Sequence, residues 1–209
     1  MNEDNISIYA HCNADGHLRQ IFTVNVFGKR VYTTVTCRSS VVRKWIYKIR
    51  FQHRLKRHRL VVGLGVQWRP NLSYRVAATL QLCVGRQCLV FQIINANNIP
   101  RILRRFLSDH LTTFVGVRNY VDSGMLSKDF NLYVNRIVEL GSMANIRGAS
   151  METMASDILG FHEIKKPEFI GRSRWDDRRL TDHQVQYACV DSNLSFEIGK
   201  KLKAWNYRP

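Results

Sequence analysis

The sequence contains no aspartate or glutamate between Gly16 and Ser108, a stretch of 93 residues that carries eighteen lysines and arginines. The acids lie in residues 3–15 and 109–197, and the formal net charge is +16. Such a basic surface favours a polyanionic partner, because neutralised phosphates release their counterions. A basic surface that serves only solubility is the alternative. An anionic membrane is a weaker candidate, since no long apolar helical face accompanies the basic residues.

Long apolar runs and linker-like segments are also missing. Every apolar run ends well short of the roughly 18 residues that a transmembrane helix needs, so no membrane partner is expected. The chain has four prolines, and no Gly/Ser-rich stretch divides its 209 residues. We therefore expect one domain over residues 20–209, preceded by a loose N-terminal arm over residues 1–19. The polar, partly acidic start of that arm is unlike a secretory signal.

The cysteines have no metal-ligand spacing. The chain has five of them, scattered along its length. Cys83 and Cys88 flank a tight turn and are placed to face each other across a hairpin. Without a secretory context, we expect reduced thiols that pack as small hydrophobes, in a protein of the cytoplasm, the nucleus or both. The histidines show no pairing with serine or cysteine, which argues against a nucleophilic triad.

The hydrophobic pattern predicts an α/β fold with a mixed sheet and helices on its faces. Strand-like runs occupy residues 21–27, 30–36, 61–68, 76–85, 87–94, 112–117 and 136–140. Helical patterns follow Arg38 and Pro100 and cover residues 119–130 and 149–160. This order by itself admits several α/β folds.

The helix predicted after Thr181 carries the most specific pattern. Thr181 and Gln184 have the spacing of a capping box. Tyr187 and Asp191 stand four residues apart, so both side chains point to the same side of the helix. A carboxylate on an otherwise apolar face is costly to bury unless it is paired or binds a metal. A surface aspartate beside a packed tyrosine ring is the alternative.

Several ordered segments resemble the ribonuclease D and Werner-syndrome-like 3′–5′ exonucleases, the tyrosine-type DEDD enzymes. RWDDRRLTDHQVQYACVDS, at residues 174–192, resembles their third motif. LVVGLGVQWRP at 60–70 and TFVGVRNYVDSGML at 113–126 resemble the first and second motifs. The likeness spans roughly residues 30–202 and includes SMETMASDILG at 150–160 and the Lys165-Lys166-Pro167 segment. Small single-domain plant members, which include the RISC-interacting clearing exoribonucleases, are the most similar.

The resemblance implies a ribonuclease H-like fold and hydrolysis of single-stranded nucleic acid from the 3′ end, with RNA favoured over DNA. It implies Mg²⁺ or Mn²⁺ as cofactor, with Asp122 and Asp191 as metal ligands and Tyr187 orienting the attacking water. The Asp-x-Glu of the first motif falls on Gly65 and Gln67. Two divalent ions about 4 Å apart need several carboxylates. The family site has four carboxylates. Because two of them are lost here, we expect a lower affinity for metal ions and a lower rate of hydrolysis.

Three interpretations stay open. The chain is a weak exonuclease, a pseudo-exonuclease that binds nucleic acid without turnover, or a subunit that partners an active homologue. A homo-oligomer in which a neighbouring subunit completes the site is a related case. Replacement ligands within the chain would be Asp129, Asp157 or a backbone carbonyl. Asp122 has an alternative role as an acid at a helix N-terminus.

Nucleic-acid binding is expected at two places in the sequence. The basic segment over residues 54–60 is placed to contact phosphates, and Trp68 and Arg69 adjoin the first motif, where the indole would stack on a base. The contacting residues of the basic segment would be Arg54, Lys56, Arg57 and Arg59. The alternatives are a solvated helix end for the basic segment and a core position for Trp68.

Overall fold

One mixed sheet organises the part of the chain that the computed structural model describes, residues 5–11, 18–69, 76–164 and 166–208. Its strands are β1 (Ile6–Ala10), β2 (Arg19–Val26), β3 (Lys29–Thr36), β4 (Leu60–Trp68), β5 (Ala77–Val84), β6 (Gln87–Phe91), β7 (Thr112–Gly116) and β8 (Ile137–Glu139). They lie in the order β1-β2-β3-β6-β5-β4-β7-β8. The β3–β6, β4–β7 and β7–β8 pairs are parallel and the others antiparallel. The predicted mixed sheet is confirmed.

The helices include those predicted from the sequence and two short ones, over residues 140–143 and 168–171, that were not predicted. They are α1 (Ser39–Gln52), α2 (Arg101–Leu107), α3 (Asn119–Phe130), α4 (Leu140–Met143), α5 (Met151–Met154), α6 (Glu168–Gly171) and α7 (Asp182–Lys201). A 3₁₀ segment at Arg54–Arg59 joins α1 to β4, and a π-helical turn at Ala155–Leu159 follows α5. None of the described helices is long and apolar enough to cross a membrane.

Helices cover both faces of the sheet. The Cys88 thiol on β6 contacts the Ser192 hydroxyl on α7 at 3.4 Å. The neighbouring Gln87 side chain instead donates to Gln52 of α1 at 2.8 Å. Because successive strand residues point to opposite faces, α7 and α1 lie on opposite sides of the sheet. The residues of β5, between these layers, are all buried.

The contact between β4 and α7 is close enough to require a glycine. A Cβ on Gly63 would lie 1.9 Å from the Ser192 carbonyl oxygen and 2.8 Å from the Phe196 amide nitrogen. Backbone therefore packs directly on backbone at this crossing. The contact fixes α7 relative to the strand that leads into the first-motif positions.

The expectation of a loose arm over residues 1–19 is wrong for its middle part. Strand β1 pairs antiparallel with β2, in a register that places Ile6 opposite Val26. Ile6 and Ile8 pack against the core, which accounts for the order of this edge strand. Residues 1–4 and 12–17 of the arm lie outside the described residues.

The buried thiols behave as predicted. Cys83 and Cys88 are partners across the β5–β6 hairpin. Both are free and fully buried, and Cys189 on α7 shares that environment. The sulfurs pack as small side chains between the hairpin and α7. Cys12 lies outside the described residues.

Candidate functional site

A pocket of about 660 Å³ opens at the C-terminal end of β4. The structure brings the three predicted motifs together in its wall. Gly65, Gln67, Trp68 and Arg69 come from β4 and the residue after it, and Asp122 comes from α3. Tyr187 and Asp191 come from α7. Sequence reasoning therefore identified residues that are far apart in the chain and adjacent in space.

The first turn of α3 is anchored on β8. The Asn119 side chain donates to the Val138 carbonyl at 3.0 Å, and its backbone N–H donates to a Glu139 carboxylate oxygen at 3.2 Å. This anchor directs Asp122 inward, where the residue is only 7% exposed. Asp122 therefore lies in the first turn of α3, as its alternative role predicts, but it is buried there.

Burial raises the pKa of Asp122 to about 8, and the nearby Asp191 carboxylate adds to the shift. The Val66 backbone and the Trp68 indole lie near the carboxylate and favour its charged form, which opposes the shift without cancelling it. Glu139 adds a smaller upward contribution. At neutral pH the Asp122 carboxyl is therefore mostly protonated. Trp68 lies beside this acid and is partly buried against the core, as the alternative of a core position predicts.

The Asp122→Asn substitution is expected to make stability less dependent on pH. Because the folded pKa of about 8 lies above the unfolded value of about 3.9, the folded state holds the extra proton. The stabilisation from that proton is complete below the unfolded pKa. It is lost progressively as the pH rises from there to the folded pKa of about 8. The unfolding free energy of the variant minus that of wild type should therefore increase by up to about 1.4 kcal/mol per pH unit between pH 5 and 7. Urea unfolding at pH 5, 6, 7 and 8 measures this difference. A constant difference between the two proteins would contradict the assignment.

Tyr187 and Asp191 lie on α7, whose start is fixed by the predicted capping box. The Thr181 hydroxyl accepts from the Gln184 backbone N–H at 3.2 Å, and the Gln184 side chain accepts from the Thr181 backbone N–H at 2.9 Å. Burial raises the pKa of the Tyr187 phenol, and the Asp191 carboxylate adds to this. The phenol is thus neutral at physiological pH.

Lys166 is the site residue whose role sequence reasoning missed. Its ammonium group forms an ion pair and a hydrogen bond with the Asp191 carboxylate. It also lies 3.5 Å from a Glu152 carboxylate oxygen and 4.8 Å from the centre of the Tyr187 ring. The only signal in the sequence was its place in the Lys-Lys-Pro segment before the third motif.

The charges around Lys166 hold its proton firmly. Burial lowers the pKa of this lysine, but the Asp191 carboxylate, together with Tyr187 and Glu152, outweighs burial and raises the pKa above its usual value. Burial raises the pKa of Asp191, and the Lys166 ammonium opposes that shift. The side chain of Lys166 is 13% exposed, so this cation is built into the wall of the pocket.

The space beside Gly65 is already filled. A Cβ on Gly65 would lie 2.9 Å from the Oε1 atom of Gln81, its partner on β5. Gln81 is fully buried, and its Nε2 donates to the Thr79 hydroxyl at 2.6 Å. Its Oε1 has no hydrogen-bond partner among the described residues. A neutral amide therefore stands where a first-motif carboxylate would need room.

The residues present do not fit the two-ion site that the resemblance implies. Gly65 and Gln67 bring no charge, and Asp191 is paired with Lys166, which leaves Asp122 as the remaining motif carboxylate. The described residues contain no group of three or more histidine, cysteine, aspartate or glutamate side chains able to hold a metal ion. Hard divalent cations require several oxygen ligands of negative charge. Binding of Mg²⁺ or Mn²⁺ therefore remains a prediction, and the side chains that line the pocket do not support it.

The candidate replacement ligands lie elsewhere. An Asp129 carboxylate oxygen accepts from the Ala77 backbone N–H at 2.9 Å, at the start of β5. Asp157 is exposed on the π-helical turn. Neither lines the pocket. The carboxylate that does approach the site is Glu152, which was not among the candidates.

The predicted nucleic-acid contacts fall at two ends of one strand. The basic segment 54–59 precedes β4, whereas Trp68 and Arg69 follow its nine residues. A strand of that length spans about 30 Å. Arg57 is also bound to an Asp109 carboxylate oxygen at 2.7 Å, and Arg69 to Asp176 at 3.0 Å. The two sets therefore do not form one phosphate clamp at the pocket.

The chain is similar to known proteins over about two thirds of its length. The 3′–5′ exonuclease family model matches residues 66–204, which include Gln67, Asp122, Tyr187 and Asp191. A 3′–5′ exonuclease of Arabidopsis thaliana is 32% identical over 151 residues, which are 68% of this chain and 52% of that protein. The mouse bifunctional 3′–5′ exonuclease/ATP-dependent helicase WRN is 30% identical over 151 residues, covering 68% of this chain and 11% of that protein.

A solved structure shows the same fold. The exonuclease domain of Aedes aegypti Nibbler superposes with a TM-score of 0.65 at 13% identity, over 82% of this chain and 87% of that domain. The ribonuclease H-like fold expected from the sequence is thereby confirmed. The chain spans about half the length of its Arabidopsis relative and about a tenth of mouse WRN.

Proposed function

Because the chain belongs to the 3′–5′ exonuclease family, we propose that its pocket binds the 3′ end of single-stranded nucleic acid without efficient hydrolysis. The ion pair between Lys166 and Asp191 carries this proposal. An ammonium group from within the chain neutralises the third-motif carboxylate, so the pocket needs no metal ion to offset that charge. Binding by this pocket requires no metal, because phosphates are attracted to lysine and arginine directly.

The cations of the pocket support binding of phosphates. Four are found among its described lining residues, Arg69, Arg118, Lys166 and Arg172. Three of them are paired with acids, Arg69 with Asp176, Lys166 with Asp191 and Arg172 with Glu168. Arg118 is exposed and forms no ion pair with a described residue. Arg118 is therefore available to contact a phosphate, and the exposed Arg172–Glu168 pair is weak enough to open to a second one.

Tyr187 and Trp68 would shape the pocket rather than carry out chemistry. The Tyr187 ring lies under the Lys166 ammonium, and Trp68 lies beside Asp122. Both side chains present aromatic surface beside the cations, where a terminal base or ribose can pack. Either the cytoplasm or the nucleus would supply such strands.

A weak metal-dependent exonuclease is the second candidate. Asp122, Tyr187 and Asp191 all line one pocket, which favours it. It requires Lys166 to leave Asp191, a change that separates two buried charges and is therefore costly. A subunit role beside an active homologue is compatible with the same pocket, and co-purification of such a relative would indicate it.

Fluorescence anisotropy with labelled strands tests the proposed binding. We expect linear single-stranded RNA or DNA to bind in EDTA more tightly than a circular strand of the same sequence, and to weaken as salt rises. The Arg118→Ala/Arg172→Ala variant should lose the preference for the linear strand by about tenfold or more, since two charge-assisted contacts are removed. RNA and DNA probes of one sequence compare the two sugars.

The control is Arg105→Ala/Lys128→Ala, which removes the same charge from exposed positions on α2 and α3. It should keep the preference for the linear strand. Equal binding of linear and circular strands by wild type would contradict 3′-end recognition. Shortening of 5′-labelled strands from the 3′ end in Mg²⁺, lost in Asp191→Asn, would favour the second candidate.

A further inference from the structure

The solvent-facing side of α1 carries two aromatic rings that the core does not use. Tyr47 is 57% exposed and Phe51 is 65% exposed. Residues four apart on a helix are neighbours, with Cβ atoms about 5–6 Å apart. The helix packs on the sheet through other residues, namely Val42, Trp45, Ile46 and Ile49. Adjacent exposed rings on a well-anchored helix are typical of a binding surface.

Basic side chains flank the two rings. Arg43, Lys44 and Lys48 are exposed and lie on the same side of α1, by the helical repeat of 3.6 residues per turn. The Arg54 guanidinium lies 4.3 Å from the centre of the Phe51 ring. The sequence from Gly16 to Ser108 holds no acid. The charges that α1 itself contributes beside the rings are therefore all positive.

The surface continues onto the sheet. Tyr32 on β3 is 54% exposed and pairs in register with Gln87 of β6. Gln87 in turn contacts Gln52 at the end of α1. Neighbours in register point to the same face of a sheet, so the Tyr32 ring borders α1. A third aromatic ring is thus available beside the first two.

This surface is separate from the pocket. Helix α1 is followed by the N-terminal end of β4. The pocket opens at the C-terminal end of that strand, about 30 Å away. α1 also lies on the face of the sheet opposite α7, which supplies Tyr187 and Asp191. A ligand on α1 would therefore touch none of the motif residues.

We propose that this part of α1 is a second binding surface for single-stranded nucleic acid, distinct from the 3′-end pocket. The α1 surface consists of Arg43, Lys44, Tyr47, Lys48, Phe51 and Arg54. Bases stack on the rings while lysines and arginines contact phosphates, without selecting sequence, since every base has a face that can stack. An acidic protein segment satisfies the charges, but a nucleic acid carries a flat base beside every phosphate and therefore fits the alternation of rings and cations better.

A circular single-stranded DNA tests the α1 surface because it has no 3′ end. The variant Tyr47→Ala/Phe51→Ala should bind it about tenfold or more weakly than wild type, with two stacking contacts removed. The control Tyr9→Ala/Tyr133→Ala removes rings that are 67% and 62% exposed elsewhere, and should bind as wild type does. All four substitutions lie at the surface, where folding free energy changes little.

The outcomes separate this surface from the pocket. The Tyr47→Ala/Phe51→Ala variant should keep any preference for linear strands, because the pocket is intact. Photo-crosslinking of a bromouracil-containing circular strand should label residues 43–54. Unchanged affinity of the double variant for the circular strand would overturn the proposal, whatever linear strands show. A second result would also overturn the proposal. If the double variant lost binding to a polyglutamate peptide but kept binding to the circular strand, the partner would be an acidic protein.

Discussion

Restoring the first-motif acids is expected to give the chain metal-dependent 3′–5′ cleavage at least about 100-fold above wild type. The variant is Gly65→Asp/Gln67→Glu combined with Gln81→Ala. Two added carboxylates give the pocket enough negative charge to bind divalent ions. These ions would then compete with Lys166 for the Asp191 carboxylate. The expected gain in rate follows because bound metal ions stabilise the transition state of phosphodiester hydrolysis by several kcal/mol.

The substitution at Gln81 belongs to this design because of its position. Its Oε1 atom lies 2.9 Å from where the Cβ of residue 65 would be, so the new aspartate needs that space. We expect Gly65→Asp/Gln67→Glu without Gln81→Ala to be less active and less stable than the triple variant. Replacing Gln81 also removes a buried oxygen that has no partner among the described residues, which limits the cost of the change.

A gel assay with 5′-labelled single strands in Mg²⁺, Mn²⁺ and EDTA measures the gain. The matched control adds Asp191→Asn to the triple variant and should abolish cleavage. If wild type already cleaves as fast as the triple variant, and Asp191→Asn removes that activity, then the present pocket is a competent enzyme and the proposal of binding without efficient hydrolysis is wrong.

Gly63→Ala is expected to destabilise the protein by about 3 kcal/mol or more. The added Cβ would lie 1.9 Å from the Ser192 carbonyl oxygen, and this backbone atom cannot rotate away as a side chain can. Relief requires α7 to move off β4, which disturbs the packing of both elements. For a chain of this size, such a loss lowers Tm by about 6–12 °C.

Gly124→Ala provides the matched control for that substitution. A Cβ on Gly124 in α3 meets no described atom within 4 Å, and alanine is a better helix former than glycine. Its Tm should equal or exceed that of wild type in the same thermal scan. A Gly63→Ala protein as stable as wild type would mean that α7 does not approach β4 as closely as described.

Displacement of α7 should also affect the pocket, since Tyr187 and Asp191 lie on that helix. Any Gly63→Ala protein that folds is therefore expected to lose the preference for linear over circular strands, although residue 63 does not line the pocket. Gly124→Ala should keep it. This pair of variants links the helix–strand contact to the binding site.

The sequence by itself determined the order of elements and the motif positions. Alternating apolar residues specify strands such as β2 and β3, and Thr181 with Gln184 specifies the start of α7 through local hydrogen bonds. Such signals depend on neighbours in the chain and can be read without the fold. The resemblance also predicted that Gly65 and Gln67 stand at the positions of the first-motif acids.

Only the tertiary structure decided how the site is charged. Lys166 stands 25 residues before Asp191, and their ion pair depends on how the segment before α6 folds back onto α7. The space at Gly65 is set by Gln81 across the β4–β5 pair, and the protonation of Asp122 by its burial. Likewise, the basic segment and the pocket residues are close in sequence but lie at opposite ends of β4. Pairing, burial and separation in space arise from long-range packing, which local patterns do not encode.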